Sequence, residues 1–172
     1  MEIDIKEVEE NSNNKEYIIE KLQIQGKLLE YASPELQDDE EVVKVAVTQD
    51  GEALEFASDR IKDNKQIILL AMKTAPWVAF YASDRLKADK ELILTSVKDY
   101  GQTLYYASEA LRDDEDVVKA AVENKGLIIK YASYRLRNNK EIAKIAINQD
   151  KRAYHFLTKE LKQDEEIKQM AE

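Results

Sequence analysis

The sequence of 172 residues contains no cysteine, four glycines, two prolines and a single histidine. The absence of cysteine excludes disulfides, thiolate metal sites and cysteine nucleophiles, and the shortage of glycine and proline leaves little material for long loops. No apolar run approaches the roughly 18 to 20 residues that a membrane-spanning helix requires. The chain is charged from Glu2 onward and lacks the apolar segment of a signal peptide. These absences predict a cytoplasmic protein.

Positive charge is also scarce, because 26 lysines and arginines stand against 35 aspartates and glutamates, which gives a net charge of −9. Nucleic acids and anionic membranes would repel such a chain. The composition therefore predicts that neither is a partner. Hydrophobic residues still make up 44% of the sequence, which is typical of a chain that forms a core.

A repeat of 25 residues organises the chain. Each copy contains an aromatic residue followed by alanine and serine, and the aromatic residues are Tyr31, Phe56, Tyr81, Tyr106 and Tyr131, with Phe156-Leu157-Thr158 as a degenerate sixth copy. A fixed period in this range is typical of solenoids, in which each repeat packs on its neighbours. The repeats begin at residues 13, 38, 63, 88, 113 and 138, and a half-repeat begins at 163. Residues 1–12 are predicted to be either a terminal cap or a frayed tail.

The columns of the repeat predict two helices per copy. The second position is always aspartate or asparagine, which can cap a helix N-terminus: Asn14, Asp39, Asn64, Asp89, Asp114, Asn139 and Asp164. Apolar residues at the fifth, sixth, ninth and tenth positions then predict a first helix. Glycine at the fourteenth position predicts a turn with positive φ, and Pro76 in the same column suits the first residue of a helix. The aromatic signature falls on the second helix.

These columns predict an all-α fold, an α-solenoid of six helix-turn-helix repeats of 25 residues with a C-terminal capping helix. Residues 13–172 form a single repeat array in this interpretation. Lys168 and Glu172 replace apolar residues of earlier copies, as expected for a final helix that faces water.

The pattern resembles the tandem helical-repeat family known as domain of unknown function 4116. The second copy carries it as Asp39-Glu40-Glu41-Val42-Val43, then Ala46-Val47, Gly51, and Ala53-Leu54-Glu55-Phe56-Ala57-Ser58. The first copy departs from the pattern at Lys21 and Leu22, and the sixth departs at Lys151, His155 and Leu157. The resemblance implies tandem helical pairs and no assigned activity.

The residues offer little for catalysis. The serine column has no base beside it, since His155 is the only histidine and a serine nucleophile needs one within hydrogen-bond reach. We expect these serines to be small packing residues whose hydroxyls bond back to a preceding carbonyl. The arginines near the ends of the second helices are expected to be neutralised by acidic residues of the repeats. The sequence therefore predicts no enzyme activity, no cofactor and no metal site.

The variable columns of the second helix are more informative. The fifteenth, eighteenth and twenty-second positions share one helix face, which is acidic in the second repeat, aromatic in the middle and basic in the sixth. Exposed aromatic residues favour interaction surfaces. The predicted partner-binding residues are Trp77, Phe80, Tyr105, Leu127 and Tyr134.

The resulting functional prediction is a monomeric, non-enzymatic scaffold that binds a protein or peptide. Two alternatives remain open on the sequence alone. The same rings could pack within the array, and the protein could be a structural or self-assembly module, or a fragment of a larger multidomain effector.

Overall fold

The computed structural model describes residues 3–172, and every regular element in that range is a helix. The chain falls into two compact parts, an N-terminal half (residues 1–86) and a C-terminal half (residues 87–172). None of the helices in the described range is both long and apolar enough to cross a membrane. The fold is that of an all-α tandem-repeat protein of the solenoid class.

The N-terminal half alternates α-helices with 3-10 helices. They are α1 (Ile5–Glu10), α2 (Lys15–Leu22), a 3-10 helix (Gly26–Tyr31), α3 (Pro34–Gln37), α4 (Glu40–Gln49), a 3-10 helix (Gly51–Phe56), α5 (Asp59–Lys62), α6 (Lys65–Ala71), a 3-10 helix (Pro76–Tyr81) and α7 (Asp84–Lys87), which spans the division. The segment before the first repeat thus contains α1, and its Val8 is fully buried.

The C-terminal half continues the same order of elements. They are α8 (Lys90–Asp99), a 3-10 helix (Gly101–Tyr105), α9 (Glu109–Arg112), α10 (Glu115–Asn124), a 3-10 helix (Gly126–Tyr131), α11 (Tyr134–Arg137), α12 (Lys140–Gln149), 3-10 helices (Lys151–Phe156 and Leu161–Gln163) and α13 (Glu165–Ala171). In α13 the apolar Ile167 is buried and Lys168 is partly exposed.

The first helix of each repeat begins as the sequence predicts. The Asp39 carboxylate accepts hydrogen bonds from the backbone N–H groups of Glu41 and Val42, at 2.9 and 3.1 Å. The capping aspartate or asparagine does the same work in all seven copies: Asn14, Asp39, Asn64, Asp89, Asp114, Asn139 and Asp164. Such a cap satisfies N–H groups that have no partner within the helix. The apolar stripe behind it is buried, so each first helix supplies core.

The second half of each repeat differs in detail from the prediction. It is a 3-10 helix followed by a separate short helix, usually a single α-turn, rather than one continuous second helix. The break falls at the Ala-Ser pair of the signature, where Ala57 (φ −71°, ψ 155°) and Ser58 (φ −63°, ψ 161°) are extended. The Ser58 hydroxyl then caps the one-turn helix, because its oxygen accepts the N–H of Ile61 at 3.2 Å.

The signature serine also ties its repeat to the preceding one. The Ser58 N–H donates to the carbonyl of Gln37 at 3.1 Å, and its hydroxyl donates to the Asp38 carboxylate. Arg60 donates from Nε to the same carboxylate at 3.0 Å. The prediction that the serine hydroxyl bonds back to a preceding carbonyl is therefore wrong. The hydroxyl caps a helix and contacts the first residue of its own repeat, and the backbone N–H of Ser58 makes the inter-repeat contact.

The first position of a repeat and the residue 22 positions later change together along the chain. Aspartate is paired with arginine in three repeats, asparagine stands with glutamate in two, and alanine stands with alanine in one: Asp38 with Arg60, Asp63 with Arg85, Asp113 with Arg135, Asn13 with Glu35, Asn138 with Glu160, and Ala88 with Ala110. The arginines of these pairs are thus neutralised as expected. The pairs lie on the surface, so each contributes only about 0–1 kcal/mol.

The pairs predict an acid-sensitive stability. The Ser133 hydroxyl, together with the Arg135 guanidinium, holds the pKa of Asp113 below its ordinary value. A depressed pKa in the folded state means that ionisation stabilises the fold above the unfolded pKa of about 3.9, and that this contribution is lost as pH falls through the folded pKa. We expect Asp113→Asn to flatten the loss of stability between about pH 5 and pH 2, measured by urea unfolding at each pH.

Asparagine is a fair replacement at this position, because Asn138 naturally accepts the Thr158 hydroxyl in the sixth repeat. If the pH profiles of Asp113→Asn and the unchanged protein ran parallel through the acid range, the ionised Asp113 would not stabilise the fold.

The glycine column marks the start of each 3-10 helix and not a left-handed turn. No residue in the described range has a positive φ, so the predicted positive φ is wrong. The Gly126 N–H instead donates to the Gln149 side chain of the next repeat at 2.8 Å, and a Cβ at this glycine would collide with the backbone carbonyl of Ala146. Pro76 begins its 3-10 helix as expected. Glycine is required here by the close approach of the next repeat.

Candidate partner-binding surfaces

The five predicted partner-binding residues are divided between the two halves. Trp77 and Phe80 lie on the third 3-10 helix, in the N-terminal half, whereas the C-terminal half holds Tyr105 and Leu127 on 3-10 helices and Tyr134 at the start of α11. Five large apolar side chains in the described range are exposed. Three of them were predicted, namely Trp77 (38%), Tyr105 (52%) and Tyr134 (58%). The other two, Ile24 (58%) and Tyr106 (40%), were not predicted. Phe80 and Leu127 are half-buried.

In the N-terminal half, the aromatic residues have acidic neighbours. The Trp77 indole N–H donates to the Glu52 carboxylate at 3.1 Å, and Glu52 also pairs with Lys27 of the first repeat. The Phe80 ring lies 3.9 Å from the Tyr81 ring, centroid to centroid, at an interplanar angle of 38°. Burial, followed by a hydrogen bond to a nearby glutamate, raises the pKa of Tyr81 to about 12. The surface around Trp77 is therefore aromatic, and its glutamate Glu52 is paired with Lys27.

In the C-terminal half, three tyrosines of neighbouring repeats form a cluster. The Tyr105 ring lies 4.8 Å from Tyr106, edge to face, and 4.7 Å from Tyr131 of the next repeat. We call Tyr105, Tyr106 and Tyr131 the tyrosine cluster. The Lys130 ammonium lies over this cluster, 4.6 Å from the Tyr131 centroid. The result is an exposed aromatic surface with a cation on it.

Tyr134 has a different environment. Its hydroxyl donates to the Glu160 carboxylate at 2.6 Å, and the Arg137 guanidinium lies 6.0 Å from its ring centroid. The hydrogen bond to Glu160 raises the pKa of the Tyr134 hydroxyl, with burial as the second cause. Tyr134 is the most exposed of the four predicted aromatic residues.

A shallow cavity adjoins the tyrosine cluster. Its volume is about 300 Å³, and it is lined by Glu109, Arg112, Tyr131, Ala132 and Ser133. Arg112 is half-buried, and its Nε atom is enclosed without a hydrogen-bond partner among residues 3–172. The nearest carboxylate oxygen is that of Glu109, at 3.8 Å from the guanidinium. The cavity therefore combines a cation with the edge of an aromatic surface.

The sequence interpretation did not single out Arg112 or the outward surface of the first helices. Ile24 is exposed, and a second cavity of about 440 Å³ is lined by Gln23, Lys44, Val45, Thr48 and Gln49. The Gln49 amide is already used, because it accepts the Gly26 N–H and donates to the Ile24 carbonyl. The sequence could have indicated this surface, because the seventh and eighth positions of several repeats are aliphatic although they lie outside the buried columns.

The geometry defines a class of protein. Repeats of about 25 residues follow one another with the same caps, the same inter-repeat serine contact and the same buried columns. This arrangement is that of a helical tandem-repeat protein.

The chain belongs to the family described as domain of unknown function (DUF4116), whose model matches residues 14–62, 64–112 and 114–167. Each match spans two of the 25-residue repeats, and the resemblance seen in the sequence is confirmed. Comparisons with curated proteins and with solved structures find no match.

Proposed function

We propose that this protein is a non-enzymatic scaffold that binds a protein or peptide partner through the exposed aromatic residues of its 3-10 helices. The observation that supports this proposal is the tyrosine cluster, in which Tyr105 and Tyr106 remain 52% and 40% exposed although they contact other rings. Adjacent exposed aromatic residues are uncommon on surfaces that contact only water, and tyrosine is enriched among the residues that dominate binding energy.

The arrangement of the repeats explains how such a surface could recognise a segment of a partner. Tyr105 and Tyr131 belong to successive repeats, and their rings lie 4.7 Å apart. An extended segment that crosses the repeats would therefore meet aromatic side chains from more than one repeat. Tyr134 and Leu127 are further candidates in the C-terminal half, and Trp77 and Phe80 are candidates in the N-terminal half.

The proposal is tested by selecting peptides from a randomised display library against the whole protein. We expect the selected peptides to lose at least about tenfold in affinity for a Tyr105→Ala, Tyr134→Ala double variant, because truncation of aromatic anchors typically costs about 2 kcal/mol or more. Thermal unfolding of the variant establishes that it is folded.

Ile24→Ala is the matched control, because Ile24 is as exposed as Tyr134 but follows a first helix. It should leave the affinity unchanged. Peptides that bind the double variant as tightly as the unchanged protein, or that lose affinity only with Ile24→Ala, would contradict the proposal. Since Trp77 is the only tryptophan, a change in its emission would report contact with the surface that it shares with Phe80.

A further inference from the structure

We infer that the partner segment recognised by the tyrosine cluster is acidic, with a carboxylate that pairs with Arg112 and apolar side chains that lie on the tyrosines. This inference rests on the proposed function and adds the chemical class of the partner. It is carried by the position of Arg112 in the fourth repeat, by the cations around the cluster and by the charge of the C-terminal half.

The first observation concerns the last position of the repeat. In three repeats this residue uses its side chain to donate to the backbone carbonyl seven residues earlier, as Lys62 does to Glu55 at 2.8 Å and Lys162 does to His155 at 2.8 Å. Gln37 likewise donates to the Glu30 carbonyl at 3.3 Å. In the fifth repeat Arg137 donates instead to the Phe156 carbonyl of the next repeat at 3.4 Å.

Arg112 occupies this position in the fourth repeat and departs from the pattern. The 3-10 helix of that repeat ends at Tyr105, one residue earlier than its equivalents, and Tyr106 takes a helical conformation (φ −92°, ψ −11°). The Arg112 side chain lines the cavity beside Tyr131, and its enclosed Nε, like that of Arg137, has no hydrogen-bond partner in the described part of the chain. Because the Nε is enclosed, a partner carboxylate would bind the terminal nitrogens of the guanidinium.

A second cation contacts the same ring. The Lys130 ammonium lies 4.6 Å from the Tyr131 centroid and 5.9 Å from the Phe156 centroid. Lys130 forms these cation–aromatic contacts, and no ion pair joins it to a carboxylate among residues 3–172. Tyr131 therefore has two cations near it, Arg112 in the adjoining cavity and Lys130 over its ring, and an acidic segment on this surface would meet both.

The charge of the chain is unevenly distributed in a way that permits this binding. Residues 87–172 contain 16 basic residues (lysine and arginine) and 16 acidic residues (aspartate and glutamate). The whole chain contains 26 basic and 35 acidic residues, so residues 1–86 contain 10 basic and 19 acidic residues. The net charge of −9 therefore belongs to the N-terminal half, and the C-terminal half is neutral. Salt at about 0.1 M also screens the repulsion between an acidic segment at the tyrosine cluster and carboxylates more than about 10 Å away.

Glu109 is the acidic group that opposes this inference locally. Its carboxylate lies 3.8 Å from the Arg112 guanidinium, but its side chain is 94% exposed. An exposed pair at this distance is weak, so a partner carboxylate that forms two hydrogen bonds with Arg112 would compete with it. Removing the charge of Glu109 should therefore strengthen the binding of an acidic segment.

The test uses the full chain and a fluorescein-labelled peptide that repeats Glu-Leu-Glu. Binding of the peptide is measured by fluorescence anisotropy at low salt. We expect saturable binding that weakens about tenfold or more in Arg112→Gln and in Lys130→Gln. Arg112→Lys should retain part of the affinity, and Glu109→Gln should raise it. The matched control is Lys98→Gln, which removes one positive charge from the end of α8 in the same half, at a residue that does not line the cavity beside Tyr131. It should leave the affinity unchanged.

Peptides that repeat Lys-Leu-Lys or Ser-Leu-Ser separate this inference from the proposed function. Suppose that either of these peptides bound as tightly as the acidic peptide, and bound the Tyr105→Ala variant more weakly than the unchanged protein. That result would exclude a preference for an acidic partner but would still support the scaffold function. The inference would also be overturned if the acidic peptide failed to bind, or if it bound Arg112→Gln and Lys130→Gln as tightly as the unchanged protein.

Discussion

Replacing Gly126 with alanine is expected to lower the free energy of unfolding by about 1–3 kcal/mol, the usual cost of forcing an extra methyl group into a packed site. The added Cβ would meet the backbone carbonyl of Ala146, which belongs to a helix and cannot rotate away. A glycine whose conformation alanine could adopt freely would give the opposite sign, a gain of about 0.4–1 kcal/mol, because alanine restricts the unfolded chain. The sign of the change therefore decides why glycine stands there.

Two comparisons within the same column sharpen this experiment, which is urea unfolding of each variant. Gly101→Ala should lower the stability less than Gly126→Ala. A Cβ at Gly101 would lie 2.8 Å from the Ala121 carbonyl oxygen, whereas a Cβ at Gly126 would lie closer still to the Ala146 carbonyl oxygen. Lys151→Ala, in the sixth copy of the column, should change the stability by less than about 0.5 kcal/mol, because Lys151 is exposed. Equal stability of Gly126→Ala and the unchanged protein would show that the next repeat does not need this close approach.

The second large effect is expected at Ile129, which is fully buried in the 3-10 helix Gly126–Tyr131. Ile129→Ala should lower the free energy of unfolding by about 2–5 kcal/mol, because it removes buried methyl groups and leaves a cavity. The loss should be this large even though the helix is short, since a helix of six residues has little stability of its own and depends on packing against neighbouring repeats.

Leu127→Ala is the control for Ile129→Ala, since Leu127 lies two residues earlier on the same helix and is half-buried. It should cost clearly less stability while weakening the binding of a selected peptide. Urea unfolding and peptide titration of both variants test this difference. If Leu127→Ala destabilised the protein as strongly as Ile129→Ala, Leu127 would be a core residue and would leave the set of partner-binding candidates.

Much of the fold could be predicted from the sequence, because it depends on residues that act locally. The aspartate or asparagine at the second position caps the helix that follows it within three residues, as Asp39 does for Val42. The apolar stripe of the first helix has helical spacing, and Val43 and Val47 are buried as that spacing requires. Pro76 begins a helix, which its fixed φ favours.

What could not be predicted depends on contacts between residues that are distant in the chain. The sequence alone does not show whether the Ser58 hydroxyl donates to an earlier or a later residue, and the Asp38 carboxylate, 20 residues earlier, accepts it. The role of Gly126 is set by a carbonyl 20 residues later, at Ala146. The columns that change together, such as Ala88 with Ala110, were visible in the sequence and could have indicated the pairing of the first and twenty-third positions of a repeat.

The candidate surface was predicted in part. Tyr105 and Tyr134 stand in columns that other repeats fill with charged residues. Such columns face solvent, and both tyrosines are exposed. Arg112 was not predicted, because its column holds glutamine, lysine or arginine in every repeat and nothing in the sequence shows that its side chain lines a cavity beside Tyr131. Ile24 was not predicted, since it stands alone in its column.

The most direct test of the binding account is a map of backbone amide chemical shifts in isotope-labelled protein during titration with the Glu-Leu-Glu peptide. The account predicts that the largest changes lie at Tyr105, Arg112 and Tyr131 and at residues next to them on the 3-10 helices. Changes confined to the outward surfaces of α8, α10 and α12, or to the N-terminal half, would contradict it.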